Sequence, residues 1–115
     1  HQKIGAALAP LRDEGVLILG SGNSYHNMRG FMAGDGLDPS RRFDAWLHDA
    51  VVKTGVARNA ALDAWAGAPA AAETHPREEH LIPLMIAAGA AADEPGAAVF
   101  SDVIMGAQLT GVRFG

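Results

Sequence analysis

The 115-residue sequence contains no cysteine, which excludes disulfide bonds, thiolate metal sites and cysteine nucleophiles. Any bound metal must therefore use His, Asp or Glu side chains. Basic residues are also few: the sequence has nine Lys and Arg and thirteen Asp and Glu, which give a formal charge of −4. This balance provides no basic surface for nucleic acid and no polybasic anchor for a membrane. We expect neither partner.

The sequence also lacks a segment of membrane-spanning length and a secretory signal pattern at its start. We therefore expect a soluble, cytoplasmic protein. The chain begins at His1 without an initiator Met, directly in a helical pattern, and this start is typical of a piece of a longer protein. Its 49% of hydrophobic residues can fill one modest core, so residues 1–115 are predicted to form a single unit.

A short aliphatic run, Val16 to Leu19, is bounded by Gly15 and Gly20. Four consecutive apolar residues between glycines predict a fully buried strand of a mainly parallel sheet. The fold class expected is therefore α/β, with this strand flanked by helices. Polar residues follow directly and include His26, at the strand end where such sheets bind ligands. An ordinary turn, capped by Asn23 or Ser24, is the structural alternative.

Helical spacing and turn formers predict the remaining elements. The first helix is predicted to bury Ile4, Leu8 and Leu11, and Ser40 is predicted as an N-cap. The helix beyond Thr74 is predicted to bend near His80, because Pro83 cannot donate its amide hydrogen. The expected elements are helices at 2–14, 40–54, 57–66 and 74–91, a loop at 30–39 that could cover a site, and closing strands at 97–100 and 107–114.

Imidazole and carboxylate groups are the ligands of mononuclear Fe(II) and Zn(II) sites. The candidates here are His26, His75, Glu78, Glu79 and His80. Five-residue spacing does not place two side chains on one helical face, so His75 and His80 are not expected to bind one metal together. The H-E-x-x-H motif is absent, which argues against a zinc protease. The stretch GSGNS follows the predicted strand as a phosphate loop does, but it lacks G-x-G-x-x-G and Gly-Lys-Ser/Thr.

Two spaced motifs carry a family resemblance. The segment S-G-N-x-x-H-N-x-R occurs at residues 21–29, and the segment P-x-x-E-H-x-x-P-L occurs at residues 76–84. In this order they resemble the C-terminal part of LigB-type class III extradiol ring-cleavage dioxygenases, in the branch of the 4,5-DOPA extradiol dioxygenases. The resemblance implies an α/β enzyme that opens a catechol ring beside the diol, using O₂ and non-haem Fe(II), with Zn(II) as the alternative metal.

By this resemblance His26 is the acid/base histidine near the substrate and His80 is a metal ligand. Related members use a Glu as that ligand, so Glu79 is the rival. Asn23 and Asn27 are expected to hydrogen-bond the imidazole or a substrate oxygen, with turn formation or capping as the alternative. Arg29 is expected to pair with a substrate carboxylate, with a surface ion pair as the alternative.

The family's other two metal-binding histidines lie in an N-terminal half, in H-G-S-P-like and S-A-H-W-like segments that this chain does not contain. The resemblance therefore implies the C-terminal part of a catalytic domain over 1–115. Its partners would be a catechol-type substrate, O₂, and the N-terminal half or a second copy. Two other classes stay open: a metal-free α/β subunit or interaction module that has lost catalysis, and a nucleotide-binding domain that rests on GSGNS alone.

Overall fold

A computed structural model describes residues 1–115. All the helices lie before residue 91, with irregular segments between some of them, and a β-hairpin follows. The predicted mixture of helix and sheet is confirmed, but the sheet has two antiparallel strands and no parallel pair. None of the helices is long and apolar enough to cross a membrane. The elements are α1 (Gln2–Leu8), α2 (Pro10–Asp13), α3 (Met28–Ala33), α4 (Leu37–Val51), α5 (Gly55–Asp63), a 3₁₀ turn (Trp65–Gly67), α6 (Ala71–Thr74), α7 (Ile82–Ala90), β1 (Gly96–Ile104) and β2 (Ala107–Phe114).

The predicted buried strand at 16–19 does not form in this chain. The segment pairs with no strand, and Leu17 and Leu19 are 83% and 82% exposed. A parallel strand needs neighbours on which to build its hydrogen-bond ladder, and the chain's two strands pair with each other instead. Three of the four aliphatic residues are therefore exposed, and Ile18 is half-buried.

Helix α4 forms the centre of the core, as its predicted stripe requires. Phe43, Leu47, Ala50 and Val51 are all buried, and β2 lies across them. The helix begins at Leu37 instead of Ser40, because Pro39 is compatible with a first helical turn. Ser40 is therefore not an N-cap. Its hydroxyl donates to the Leu37 carbonyl at 2.9 Å and accepts from the Gln108 amide at 2.8 Å, which ties the hairpin to α4.

Helices α1 and α7 cross at glycine instead of at the predicted aliphatic stripe. Gly5 is the buried residue of α1, whereas Ile4 is 54% exposed. A Cβ at Gly5 would lie 2.7 Å from the Ala90 amide nitrogen, and a Cβ at Gly89 would meet the backbone of Gln2. The two backbones thus approach to a distance that only glycine allows. The predicted burial of Ile4 is wrong because close backbone approach places the neighbouring side chain outside the interface.

Two predicted boundaries change for reasons of local chemistry. Of the predicted helix 74–91, only the second half is helical, because α6 ends at Thr74, residues 75–81 are irregular and α7 starts at Ile82. Pro83 lies in the first turn of α7, where its missing amide hydrogen costs no helical bond, so no bend is needed. The predicted loop 30–39 instead contains the end of α3, which stops at Gly34 in the left-handed conformation (φ 74°).

The predicted C-terminal strands are confirmed and form a hairpin. Met105 and Gly106 connect them with φ values of 52° and 77°, the positive pair that a two-residue hairpin turn requires. Strand β1 is exposed along almost its whole length, whereas β2 faces α4. The hairpin is therefore anchored to the helical layer through β2.

Arg58 is the largest fully buried side chain. Its guanidinium donates to the carbonyls of Ala88 at 2.6 Å, Ala92 at 2.7 Å, and Glu94. It also lies 5.1 Å from the centroid of the Phe114 ring, within the range of a cation–π interaction. One α5 side chain thus caps the C-terminal end of α7 and contacts the end of β2.

Replacing this cap should destabilise the fold strongly. We expect Arg58→Met to lower the free energy of unfolding by about 3 kcal/mol, because three partly or fully buried carbonyls lose their donor. The matched control is Arg41→Met on the exposed face of α4, which should change it by less than about 0.5 kcal/mol. Urea unfolding of both variants measures the difference, and equal midpoints would contradict the role of Arg58.

Candidate active site

Two irregular segments lie side by side and form the site. The first, residues 20–27, is called the histidine loop, and the second, residues 75–81 between α6 and α7, is called the bridging segment. The Asn23 amide donates to the His80 carbonyl at 3.0 Å, and the His26 amide donates to the Thr74 carbonyl at 3.0 Å. These backbone bonds fix the histidine loop against the chain that leads into α7.

Glycines in the histidine loop permit this close approach. A Cβ at Gly20 would lie 2.7 Å from the Pro83 carbonyl oxygen, and a Cβ at Gly22 would clash with the His80 carbonyl oxygen. Both close contacts are therefore with the backbone of the chain that leads into α7. Only a residue without Cβ lets the Asn23–His80 hydrogen bond form.

Side chains next to His26 anchor the loop on its other side. Tyr25 is 1% exposed, and its ring packs edge-on against Phe31 with centroids 4.9 Å apart. Burial raises the pKa of the Tyr25 hydroxyl, with smaller contributions from Asp35 and Glu73. The Ser24 hydroxyl accepts a hydrogen bond of 2.8 Å from the Thr110 amide of β2. His26 therefore follows a residue that is held firmly on the core.

His26 and His80 meet at the junction of the two segments. Their ring centroids are 3.5 Å apart and the planes differ by 23°, so the imidazoles stack. Both residues are half-buried. The histidines of the two family motifs thus lie together, between irregular segments and not at the edge of a sheet.

His75 has a different setting from the other two. It is 2% exposed, its Nε2 lies 3.2 Å from the Asn23 carbonyl oxygen, and its Nδ1 lies 3.2 Å from the Thr74 hydroxyl. Burial lowers the pKa of His75, opposed by its bond to Asn23 and supported by the nearby His26 and His80. Sequence reasoning considered His75 only as a ligand and missed this contact, because the helical-spacing argument assumed a helix that does not extend over the bridging segment.

Of the other predicted site residues, Asn27 has the side chain with the most hydrogen bonds to the protein. Its Oδ1 accepts from the amides of Arg29 at 3.1 Å and Gly30 at 3.3 Å, and its Nδ2 donates to the Glu73 carbonyl at 2.8 Å. The observed geometry is that of the capping alternative, because Asn27 is the N-cap of α3. Most of the hydrogen-bonding groups of this side chain are therefore used within the protein.

Asn23, Arg29 and Glu79 are exposed on the surface around the histidine pair. Arg29 lies in the first turn of α3 and forms no ion pair, and Glu79 directly precedes His80 in the bridging segment. Asn23 contributes its backbone to the fold through both its amide and its carbonyl. Its side chain remains free to meet a ligand.

A groove of about 550 Å³ borders the site. It runs between the aliphatic segment 16–19, α7 and β2, and Asn23 and His80 lie in its wall. Within residues 1–115, no group of three or more His, Cys, Asp or Glu side chains is placed to hold a metal ion. The stacked pair of His26 and His80 places two imidazole rings next to each other.

Comparison with known proteins places this arrangement in a family. The sequence profile of LigB, described as the catalytic LigB subunit of aromatic ring-opening dioxygenase, matches residues 1–113. The chain belongs to the LigB family. The match covers the histidine loop, the bridging segment and nearly all of the hairpin, so it includes both site histidines.

Individual relatives agree with this family. The chain is 41% identical over 95 residues to the 4,5-DOPA dioxygenase extradiol of Beta vulgaris, covering 81% of this chain and 35% of that protein. The protein of the same name from Portulaca grandiflora is 36% identical over 104 residues, covering 82% and 35%. The chain thus spans about a third of the length of these curated relatives.

A solved structure shows the same fold. The crystal structure of an uncharacterized protein from Escherichia coli K12 superposes with a TM-score of 0.85 at 28% identity. The superposition covers 100% of this chain and 49% of the bacterial one. The arrangement of residues 1–115 is therefore shared with about half of that longer bacterial chain.

The close approach at Gly22 gives a direct test of the site's architecture. We expect Gly22→Ala to lower the free energy of unfolding by about 1–3 kcal/mol, since its methyl group would displace the His80 carbonyl. Gly67→Ala is the matched control, because a Cβ there meets nothing within 4 Å, and it should be nearly neutral. Thermal or urea unfolding compares the two, and an equally neutral Gly22→Ala would show that the segments are not in close contact.

The lowered pKa of His75 predicts a dependence of stability on pH. The folded state binds the His75 proton less readily than the unfolded state, whose reference pKa is 6.5. The resulting stability is complete above that value and is lost as the pH falls toward the lowered folded value. Free energies of unfolding measured from pH 8 to pH 5 should fall less steeply in His75→Gln than in the wild type. Parallel curves would contradict the prediction.

Proposed function

We propose that residues 1–115 contribute one side of the active site of an extradiol catechol dioxygenase. The observation that supports this most strongly is the stacked pair of His26 and His80, which joins the two motifs of the family at one place. Neither ring makes a hydrogen bond within the protein, in contrast to His75, whose Nε2 donates to the Asn23 carbonyl. The pair is therefore free for ligand binding and proton transfer.

The donor chemistry fits a non-haem metal at His80. Imidazole nitrogen binds both Fe(II) and Zn(II), and the family resemblance favours Fe(II), with Zn(II) as the alternative. Glu79, directly before His80, is the rival ligand of the carboxylate type. When bound, the metal supplies the centre at which a catechol and O₂ are held together. The further ligands of a three-residue facial set would come from outside residues 1–115, either from a longer polypeptide or from a second chain.

His26 has the setting of a general acid/base. A histidine exchanges protons near neutral pH, and the backbone of His26 is fixed by Thr74 while its ring remains half-exposed. In the proposed reaction it takes a proton from a catechol hydroxyl and returns it as the ring opens. Both atoms of O₂ enter the ring-opened product, so no further reductant is required.

The substrate proposed is a small catechol, and DOPA, named for the plant relatives, is the first compound to test. The exposed Asn23 amide is proposed to hydrogen-bond a substrate oxygen, and the unpaired Arg29 is proposed to attract a substrate carboxylate. In Asn27, Oδ1 caps α3 and Nδ2 donates one hydrogen to the Glu73 carbonyl, so its proposed contact with substrate is limited to the second Nδ2 hydrogen.

The aliphatic segment 16–19 is proposed to be a strand of the family's mainly parallel sheet. Its exposed side chains and its missing ladder are what such a strand shows without its neighbours. The neighbours would be supplied by an N-terminal half, which the relatives' greater length allows, or by a second copy. This pairing would also bring the remaining metal ligands toward His80.

Two histidine variants test the proposed roles in the natural polypeptide that carries residues 1–115. His80→Ala should remove most of the bound metal, because a facial site needs each of its three ligands. His26→Phe should retain the metal and the ring stacking but lower the turnover of DOPA by roughly 10²–10⁴-fold, the usual contribution of a general acid/base. Metal analysis and oxygen uptake measure the two effects.

His48→Phe is the control, because His48 lies on α4 beside Asp44 and away from the histidine pair. It should leave both metal content and turnover unchanged. If His26→Phe loses the metal while His80→Ala keeps it, the two assignments are wrong and the loop histidine or Glu79 becomes the ligand. If the wild type binds no metal and opens no catechol, the metal-free subunit is the better description.

A further inference from the structure

Among the three histidines of this region, only His75 is fully enclosed. Its ring packs between Phe43, with centroids 4.9 Å apart, and Trp65, with centroids 6.1 Å apart. Both aromatic residues pack with the hydrophobic core. The position of the His75 ring is therefore set by the core.

The polar contacts of His75 assign its hydrogen atoms. The Asn23 carbonyl can only accept, so Nε2 of His75 donates to it across 3.2 Å. In the neutral ring Nδ1 then carries no hydrogen, and it lies 3.2 Å from the Thr74 hydroxyl oxygen. The single hydrogen of that hydroxyl is directed to the carbonyls of Ala70 and Ala71, at 2.9 Å and 3.0 Å. The bond that fixes the His75 ring is therefore the one from Nε2 to the Asn23 carbonyl.

The residue that His75 holds lies three positions before His26. The amides of Asn23 and His26 are bonded to the bridging segment and α6, but the Asn23 carbonyl has a side chain as its partner. Removing that donor would free the Asn23 peptide to rotate, and the histidine loop would lose one of the bonds that set its distance from His80. The contact thus joins the core to the loop that carries the proposed acid/base.

We infer that His75 is a positioning residue, which holds the histidine loop through the Asn23 carbonyl so that the His26 ring stacks on His80. Its effect on turnover rests on the proposed function, whereas its effect on the geometry of His26 does not. Neutral hydrogen bonding accounts for the contact, and no change of protonation is required. His75 thereby differs from the two free imidazoles in role as well as in burial.

Two variants separate positioning from other roles. His75→Leu has a similar volume but no donor, and His75→Gln retains an N–H that can reach the Asn23 carbonyl. In the natural polypeptide we expect His75→Leu to lower kcat roughly 10- to 100-fold, the scale of a small misplacement of a reacting group. Metal content and the KM for DOPA should stay near wild type, and His75→Gln should recover much of the loss.

A second readout does not depend on catalysis. The ring-proton NMR signals of His26, assigned by their loss in His26→Phe, report its stacking on His80 in metal-free protein at one fixed pH. We expect them to move in His75→Leu and to stay close to wild type in His75→Gln. If the wild type opens no catechol but the signals behave in this way, the positioning role stands and the proposed function fails.

Several outcomes would overturn the inference. Unchanged His26 signals and unchanged kcat in a folded His75→Leu would show that the contact does not position the loop. Loss of metal in His75→Leu with His26 signals unmoved would show that His75 is a ligand. Should His75→Leu fail to fold by circular dichroism, His75→Phe keeps an aromatic ring beside Phe43 and Trp65 and removes the donor to the Asn23 carbonyl. It should move the His26 signals in a folded protein, and unmoved signals there would also contradict the role.

Discussion

The contact between the histidine loop and the bridging segment is the constraint on which the candidate site depends. A hydrogen bond from the Asn23 amide to the His80 carbonyl brings two backbones together where Gly22 has no Cβ to separate them. Because this bond links residues 57 positions apart, it determines which side chains meet. Without this hydrogen bond, the rings of His26 and His80 would not be held next to each other.

The rest of the chain supports this contact from two sides. The buried stripe of α4, with Phe43 and Leu47, provides a floor for β2 and for the ring of His75. Ser24 then ties the histidine loop to β2 through the Thr110 amide. Arg58 closes the opposite end of α7, the helix that follows the bridging segment. The backbone that carries the histidine pair is thus held by hydrogen bonds on both sides, a setting that suits the binding of an ion and a small ring.

Elements whose cause is local were predicted well from the sequence. The helix predicted at 40–54 is observed as α4, and the strand predicted at 107–114 has its observed bounds, whereas the strand predicted at 97–100 extends over Gly96–Ile104. Pro83 was given an interior position in the predicted helix, although it lies in the first turn of α7. The burial expected for the run 16–19 was wrong, since burial of a strand depends on neighbours that a local pattern does not contain.

The sequence by itself determined the family motifs and the absence of thiolate chemistry. It also selected His26 and His80 as candidate site residues, because their residue type and motif context are local properties. Only the tertiary structure decided that these rings stack, that the Asn27 side-chain oxygen caps α3, and that His75 faces Asn23 from the core. The physical reason is that a hydrogen bond or a ring contact depends on distance and direction between segments far apart in the chain. Those quantities are fixed by packing, not by sequence spacing.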